Sequence, residues 1–451
     1  MWLDEHHHRD IALVTRAGTC SYADLYRDIS DRMRVLRGLD DGIVVLTASM
    51  TVDFVATLLA LLSLGRPAAV FSPSWTTDER DARRALVGFS VELDAQGSVT
   101  RQWHGAPVPV HPLARLILFT TGSTGQPKAV QLSESNIRSN TRAVIEALAF
   151  RTADTQTLFL PLSYSYGLLG QLLPALERGM RTDLVARLVD LSDGLVAQTI
   201  QGMISGVPSH YETILRMVPP GYACHRLSHI VTAGAYSSPD LRRRLHQAFP
   251  DATIYNNYGQ TEASPRILCF TSAHPLFYSP ATGYPVGDLR VRCSESGELL
   301  VGGSQVMLGY LGDAEGTRDK MSDGWLATGD LASIAEDGLV TITGRIDELV
   351  NVGGERTSAI EIESAIRRVN GVRNVAVLIV SDDLYGVACI AYVEVVGSDV
   401  TADEILGALR RLVSPHKIPR ELHVIPALPL NPHGKVDKTA LTTLYRRPTP
   451  L

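Results

Sequence analysis

The chain has 451 residues, of which 45% are hydrophobic and 20% are charged, and its formal net charge is −6. This length is too great for one hydrophobic core and predicts two or more domains. The negative balance argues against a nucleic-acid partner, and no apolar run is long enough to span a membrane, so neither partner is expected.

Cysteine usage and the N-terminus bear on localisation. The five cysteines, at positions 20, 224, 269, 293 and 389, are scattered and odd in number. This pattern lacks metal-ligand spacing and indicates a reducing cytoplasm without a structural zinc site. The first residues contain acidic side chains and three histidines instead of a basic and an apolar region, so we expect no signal peptide.

Strand-like β-branched runs alternate with amphipathic runs through most of the chain, which predicts α/β layers. Strands are predicted at 43–47, 68–71, 157–160 and 230–232, and helices near 53–64 and from Ser133 onward. From about 281 to 343, closely spaced turn signals predict a β-rich subdomain. A helix at 360–369, strands at 374–380 and 387–395 and a helix at 402–413 then predict a compact α+β unit of roughly 100 residues. The predicted domains are therefore 1–346 and 347–451.

One loop carries a pattern suited to binding phosphate. An apolar strand runs into Phe119-Thr120-Thr121-Gly122-Ser123-Thr124-Gly125-Gln126-Pro127-Lys128. Glycines let the backbone approach an anion, hydroxyls add donors and lysine adds a positive charge. The segment is not a Walker A loop, because Pro127 precedes the lysine and Ala129 follows it.

Lysine is rare in this chain, supplying five of the 42 basic residues. In so arginine-rich a chain, lysine should remain mainly where a compact point charge is needed. Lys128 and Lys435 both lie in glycine-bearing loops, which favours a functional role for these two.

Further motifs follow in order along the chain. They are Pro161-Leu162-Ser163-Tyr164-Ser165-Tyr166-Gly167, Tyr255-Asn256-Asn257-Tyr258-Gly259-Gln260-Thr261-Glu262, Gly324-Trp325-Leu326-Ala327-Thr328-Gly329-Asp330, Gly344-Arg345-Ile346-Asp347, Gly353-Gly354-Glu355-Arg356 and Pro429-Leu430-Asn431-Pro432-His433-Gly434-Lys435. Together with the phosphate-binding loop, the set resembles the signature motifs of the adenylate-forming superfamily. Its members are acyl-CoA synthetases, adenylation domains of peptide synthetases, and luciferases. The chain departs from the family pattern at Ala129, at Tyr164 and at Asn431-Pro432.

The resemblance implies a fold and a set of site residues. The expected fold is α/β, with a large multi-sheet N-terminal domain and a small mobile α+β C-terminal domain. Lys435, Thr261, Glu262 and Lys128 are implied catalytic residues, with Glu262 also holding Mg²⁺. The implied nucleotide-binding residues are Thr120, Thr121, Gly122, Ser123, Thr124, Gly125, Gly234, Ala235, Asn257, Tyr258, Gly259, Asp330 and Arg345. Asp347 would be the hinge, and Gly353 and Gly354 would line a tunnel for a thiol.

The acid pocket is expected around residues 163–167, 204–209, 234–237 and those just after Glu262. Its implied lining residues are Tyr164, Ser165, Tyr166, Gly206, Val207, Tyr236 and Arg266. These segments are rich in serine and tyrosine, which indicates a small or polar acid. Arg266 could pair with a second anionic group of the substrate, or it could be a solvated arginine near a surface loop.

The resemblance implies ATP-dependent adenylation of an acid with release of pyrophosphate, followed by transfer to a thiol. The cofactors are then ATP and Mg²⁺, and coenzyme A (CoA) is the first choice of acceptor. The open alternatives are an adenylation enzyme that loads a carrier protein, and a divergent member that activates an oxyanion such as nitrite or transfers to an amine. A catalytically inactive binding module is disfavoured, because both loop lysines, Glu262 and Asp330 are present.

Overall fold

The structure, a computed structural model, describes residues 10–39, 41–89, 91–94, 96–102, 108–121, 127–151, 154–219, 221–346, 349–352, 355–382, 386–397, 400–413, 417–431 and 436–445. The chain forms two compact units. The first contains Met1–Arg292, Leu300–Thr328 and Ala335–Val340, and the second contains Cys293–Leu299, Gly329–Ile334 and Thr341–Leu451. The predicted domain boundary at 346–347 stays a prediction, as do the limits of the β-rich subdomain.

Strands and helices alternate through the first half of the chain. They are β1 (Ile11–Thr15), β2 (Gly18–Ser21), α1 (Tyr22–Leu36), β3 (Val44–Thr47), α2 (Val52–Ser63), β4 (Ala68–Phe71), α3 (Thr77–Val87), β5 (Val91–Leu93), β6 (Val99–Gln102), β7 (Ala114–Thr121), β8 (Pro127–Ser133), α4 (Glu134–Ala147), β9 (Thr155–Leu158), α5 (Ser165–Gly167), a π-helical turn (Leu168–Leu172), α6 (Leu173–Glu177), β10 (Arg181–Leu184), α7 (Leu188–Val196), β11 (Gly202–Gly206), α8 (Pro208–Met217) and β12 (Leu227–Thr232).

Shorter strands dominate the remainder. The elements are α9 (Pro239–Ala248), β13 (Thr253–Tyr258), a 3₁₀ turn (Thr261–Ala263), β14 (Leu268–Thr271), β15 (Tyr284–Pro285), β16 (Arg290–Cys293), β17 (Glu298–Gly302), β18 (Gly309–Tyr310), α10 (Ala314–Lys320), β19 (Met321–Ser322), β20 (Trp325–Ile334), β21 (Val340–Arg345), β22 (Leu349–Val352), β23 (Glu355–Ser358), α11 (Ala359–Ile366), β24 (Val372–Asp382), β25 (Gly386–Val395), α12 (Ala402–Leu412), β26 (Glu421–Val424) and α13 (Lys438–Tyr445).

Two large sheets organise the first unit. One has nine strands in the order β15-β14-β13-β12-β11-β9-β10-β1-β2, and the other has seven in the order β18-β8-β7-β4-β3-β5-β6. Strands β9 to β13 pair in parallel, so their carboxyl ends share one edge of the nine-stranded sheet. Active sites of open α/β sheets typically lie at such an edge.

The two helices that the sequence predicts in the first unit, near 53–64 and from Ser133, are present. In α2, the Thr51 side chain accepts a hydrogen bond from the Phe54 amide, and residues 54–62 are all buried. Ser133 caps α4 in a reciprocal capping box with Asn136. These caps satisfy backbone donors that a helix start leaves unpaired, and the apolar faces supply the packing energy.

In the second unit, strands β24, β25 and β26 form a three-stranded sheet. Buried side chains of this sheet pack with those of α11 and α12 in one core, which includes Ile362, Val377 and Leu409. A further sheet has the order β16-β17-β20-β19, with β21 paired to β20.

The predicted fold class is confirmed: the chain is α/β, with a large multi-sheet N-terminal part and a small C-terminal α+β part. Among the residues that the structure describes, no helix combines the length and the apolar character needed to cross a bilayer.

Candidate active site

The predicted phosphate-binding loop connects two paired strands. Thr120 on β7 lies opposite Lys128 on β8 in the antiparallel ladder. The Lys128 ammonium lies 4.6 Å from the centre of the Tyr310 ring and 3.8 Å from Oδ2 of Asp313. Gly122, Ser123, Thr124 and Gly125 lie outside the described residues, and of Thr121 only the backbone is described.

Glu262 faces the end of this hairpin from the 3₁₀ turn that follows β13. Its Oε1 accepts a hydrogen bond of 2.9 Å from the Tyr310 hydroxyl and lies 3.5 Å from the Thr120 hydroxyl. Burial, and then the Glu262 carboxylate, raise the pKa of Tyr310 well above its ordinary value, so the phenol stays protonated and donates. The hairpin and the Tyr-Gly-x-Thr-Glu motif therefore meet at one carboxylate.

Thr261 contacts a different part of the predicted site. Its hydroxyl lies 2.8 Å from the hydroxyl of Ser165, which is buried at the start of α5. The structure thus brings together residues that are 96 positions apart in sequence.

Gly259 occupies a position that admits no side chain. A Cβ atom there would lie 1.5 Å from the carbonyl oxygen of Pro265. The next residue, Gln260, donates from Nε2 to the Tyr258 hydroxyl at 3.3 Å and to the Thr328 carbonyl at 2.8 Å. Close backbone packing at Gly259 and the amide of Gln260 therefore position Tyr258.

The segments predicted to form the acid pocket also meet. The Tyr166 hydroxyl donates to the carbonyls of Val231 at 3.0 Å and Gly206 at 3.4 Å. Gly234 has a φ of +83°, and a Cβ atom there would lie 3.2 Å from Cγ1 of Val207. The position thus combines left-handed backbone with close packing, which explains why glycine occurs there.

His210 supports the pocket from helix α8. Burial lowers its pKa to about 4, so the imidazole is neutral at physiological pH. Its Nδ1 accepts a hydrogen bond of 3.3 Å from the Val207 amide. The backbone of the predicted pocket wall is thereby tied to the first turn of α8.

Exposure separates the remaining predicted pocket residues. Ala235 and Tyr236 are exposed, and Tyr164 and Tyr166 are partly buried. Arg266 is only 2% exposed. The interpretation of Arg266 as a solvated surface arginine is therefore wrong, because its side chain is buried beside Tyr166 and Gly170.

Asp330 and Arg345 belong to the second unit. Nη1 of Arg345 lies 3.1 Å from Oδ1 of Asp330, whose side chain is buried. The Ile346 amide donates to the Gly329 carbonyl at 2.8 Å, so the Thr-Gly-Asp strand and the predicted junction are hydrogen-bonded to one another. Lys435, Asp347, Gly353 and Gly354 lie outside the described residues.

Tyr310 and Asp313 were missed by the sequence analysis. Tyr310 lies on β18, which pairs with β8 and places Tyr310 in register with Val130, far earlier in the chain. No local pattern marks such a residue; an isolated Gly-Tyr dipeptide resembles many turn sequences. Only the pairing of β18 with β8 identifies it.

The residues present fit a magnesium ion held jointly with a nucleotide. Within the described ranges, no group of three or more His, Cys, Asp or Glu side chains is placed to hold a metal ion. Mg²⁺ typically binds to one or two carboxylates and completes its shell with substrate phosphates and water. A single carboxylate at Glu262, with the Thr120 hydroxyl 3.5 Å away, matches that requirement.

Comparison with known proteins agrees with this geometry. Residues 88–311 match the family model described as AMP-binding enzyme, and residues 361–435 match the AMP-binding enzyme C-terminal domain. One relative, from Rhodococcus jostii, is named as the CoA ligase for a propanoyl group that bears a methyl-dioxo-octahydro-indenyl substituent. It is 30% identical over 332 residues, which is 72% of this chain and 64% of the relative. Feruloyl-CoA synthase from Amycolatopsis sp is 29% identical over 72% of this chain and 68% of the relative. The chain spans less than two thirds of the first of these relatives.

Solved structures share the whole architecture. ATP-bound MatB from Rhodopseudomonas palustris superposes with a TM-score of 0.85 at 23% identity, covering 98% of this chain and 97% of that one. The o-succinylbenzoate CoA synthetase MenE from Bacillus subtilis, bound to an acyl-adenylate, gives a TM-score of 0.80 at 20% identity over 96% and 95% of the two chains. At these identities the likeness concerns the fold. Together with the two family models, it shows that this chain belongs to the AMP-binding enzymes of the adenylate-forming superfamily.

Proposed function

We propose that this protein is an ATP-dependent, AMP-forming acid–thiol ligase. It would adenylate a small or polar carboxylic acid, a class that includes aryl acids, with release of pyrophosphate and then transfer the acyl group to CoA. Similarity to relatives named as CoA ligases supports both half-reactions. We place the enzyme in the cytoplasm, a proposal supported by its five free cysteine thiols.

One observation carries the proposal: three separate segments converge around Glu262. The hairpin supplies Thr120 and Lys128, the 3₁₀ turn supplies Thr261 and Glu262, and α5 supplies Ser165. Phosphoryl transfer depends mainly on positioning and on neutralising charge that spreads over the phosphoryl oxygens. Hydroxyl donors, an ammonium group and a carboxylate for a metal ion are the groups that this task requires.

In the first half-reaction, the acid oxyanion attacks the α-phosphorus and pyrophosphate leaves. Thr261 would donate to the α-phosphate, and Lys128 with the loop 120–125 would hold the departing phosphates. Glu262 and the nucleotide would hold Mg²⁺, which neutralises phosphate charge when bound. Lys435 would approach the oxyanion and the α-phosphate, as the resemblance implies. Tyr258, Asp330 and Arg345 would bind the adenosine portion.

In the second half-reaction, a thiolate attacks the acyl carbonyl and AMP leaves. The resemblance implies that the small domain rotates about Asp347 and brings Gly353 and Gly354 to the thiol tunnel. Domain rotation is an established way to assemble two sites on one scaffold. The acceptor that best fits the named relatives is CoA.

The experiment that tests this function is a pyrophosphate-release screen. Purified protein with ATP and Mg²⁺ is offered small carboxylates, aryl acids, amino acids and nitrite, and active acids are then combined with CoA, a carrier protein or amines. We expect pyrophosphate and AMP with an organic acid, and an acyl-CoA once CoA is added.

Two variants make the screen specific. Glu262→Gln should reduce pyrophosphate release by about 10²-fold or more, since it removes a charge that holds the metal ion. Glu295→Gln changes an exposed turn carboxylate in the same way and should have no effect. Failure of every organic acid to release pyrophosphate would refute the proposal, and turnover of nitrite alone would favour the divergent alternative.

A further inference from the structure

The guanidinium of Arg266 is a buried positive charge without an acidic partner among the described residues. Its side chain is 2% exposed, and among the described residues no Asp or Glu lies within ion-pair distance of it. Nη2 donates to the Gly170 carbonyl at 3.2 Å, while Nε has no hydrogen-bond partner within the described part of the chain. A charge removed from water is costly unless it is paired, so this arrangement requires an explanation.

Arg266 contacts the predicted acid pocket directly. Its guanidinium lies 5.5 Å from the centre of the Tyr166 ring. Tyr166 is partly exposed, whereas the Arg266 side chain against it is buried. The hydroxyl of the same tyrosine reaches the Val231 and Gly206 carbonyls at the carboxyl ends of β12 and β11.

The neighbouring face of the nine-stranded sheet is polar at the same end. Met203, Val231 and Tyr255 pack in one apolar cluster against α4 and α6. Because side chains alternate along a strand, Ser205 and Asn257 project from this same face, two residues closer to the carboxyl ends. Both are buried; the Ser205 side chain interacts with the Tyr166 hydroxyl, whereas both polar atoms of the Asn257 amide lack partners within the described residues.

The π-helical turn that contains Gly170 leaves space for the guanidinium of Arg266. Gly170 lies within the π-helical turn Leu168–Leu172. A Cβ atom at Gly170 would lie 3.3 Å from Nη2 of Arg266 and 3.2 Å from the Tyr166 ring, so glycine leaves the space that this contact occupies. π-helical turns occur frequently at functional sites.

We propose that Arg266 binds a second carboxylate of the substrate, and that the preferred acids are therefore dicarboxylic acids. This inference rests on the proposed function. A guanidinium presents several donors in a planar fork that matches a carboxylate. The hydroxyl of Ser205 and the amide of Asn257 add donors on the adjoining sheet face. The first carboxylate of the acid is adenylated, and the second remains bound at Arg266.

The test compares each dicarboxylic acid of a length series with its own half-amide. The half-amide has nearly the same shape but lacks the second charge. The wild-type enzyme should prefer the dicarboxylic acid in kcat/KM for pyrophosphate release by about 30-fold or more, as expected when a buried charge loses its partner. The acid that is preferred should also raise the melting temperature of the wild-type protein more than its half-amide does.

Variants then locate the effect. Arg266→Gln should abolish the preference for the dicarboxylic acid, mainly through KM, and Arg266→Lys should retain part of it. Arg242→Gln is the matched control: Arg242 is fully buried, its guanidinium donates to the Phe277 and Ser279 carbonyls, and its Nε also lacks a partner within the described residues. This control should lower the melting temperature without changing the preference.

Each outcome has a distinct meaning. Equal activity of the wild-type enzyme on the two acids of every pair, or an unchanged preference in Arg266→Gln, would overturn the inference while leaving the proposed function intact. If Arg266→Gln does not fold, the inference is still tested by the wild-type enzyme, through its preference between each acid and its half-amide and through its melting temperature with each of them. If none of the organic acids leads to pyrophosphate release, the proposed function is refuted instead.

Discussion

At the scale of single residues, the hydroxyl of Tyr310 is the contact that most sharply tests the site. The Tyr310→Phe substitution keeps the ring beside Lys128 but removes the 2.9 Å hydrogen bond to Glu262. Losing a bond to a charged group should reduce kcat/KM for MgATP by about 10-fold and raise the Mg²⁺ concentration needed for half-maximal activity. Pyrophosphate release measured across a Mg²⁺ titration checks this.

The pH dependence and a control sharpen that prediction. Since the pKa of Tyr310 is raised, the phenol is protonated throughout the neutral range. The ratio of kcat/KM for MgATP between the wild-type enzyme and Tyr310→Phe should therefore stay constant from about pH 6 to about pH 9. Tyr222→Phe removes a comparable hydroxyl, which donates to the Leu195 carbonyl at 2.6 Å away from these residues. An equal Mg²⁺ effect in this control would contradict a specific role for Tyr310.

At the scale of elements, the turn that follows β13 depends on the absence of a side chain at Gly259. In Gly259→Ala, the new Cβ would meet the Pro265 carbonyl at 1.5 Å, so the backbone that carries Thr261 and Glu262 must move. A displacement of about 1 Å in a positioning segment can cost about 10²-fold in rate. We expect a loss of that size in pyrophosphate release, with a lower melting temperature.

Gly407 provides the matched control for this substitution. It lies within α12, and a Cβ atom there would have no neighbour within 4 Å. Gly407→Ala should therefore stabilise the helix by about 1 kcal/mol and leave adenylation unchanged. Wild-type activity in Gly259→Ala would contradict the prediction that the new Cβ displaces Thr261 and Glu262.

At the scale of the whole molecule, the two half-reactions should separate at Asp347. The Asp347→Pro substitution fixes φ at the proposed hinge, so the domain rotation should be blocked while the adenylation arrangement persists. We expect normal pyrophosphate release but little acyl-CoA, measured in one reaction mixture. Asp347→Ala, which removes the carboxylate but leaves φ free, should retain both steps, and acyl-CoA formation by the proline variant would refute the hinge role.

Local sequence predicted those parts of the fold and the site that depend on neighbouring residues. The helix from Ser133 was predicted because a capping serine precedes apolar residues at helical spacing, and the structure begins α4 there. The chemical character of Glu262 and Lys128 followed from motifs that fit in a few consecutive positions. The roles of Lys435 and Asp347 stay predictions, because both residues lie outside those described.

Alternating strand-like and helix-like patterns by themselves predicted the α/β fold class, because they depend on residue types at short, regular spacing. The order of the motifs carried the resemblance that implies the family and the proposed reaction. The tertiary structure alone decided that Tyr310 reaches Glu262 and that Arg266 is buried beside Tyr166, with no acidic partner in the described part of the chain. Such contacts arise from strand pairing and packing between segments far apart in sequence, and no local pattern records which segments pair. The sequence left open whether Arg266 meets a second anionic group of the substrate or solvent, and the burial of Arg266 in the folded molecule supports the proposed preference for dicarboxylic acids.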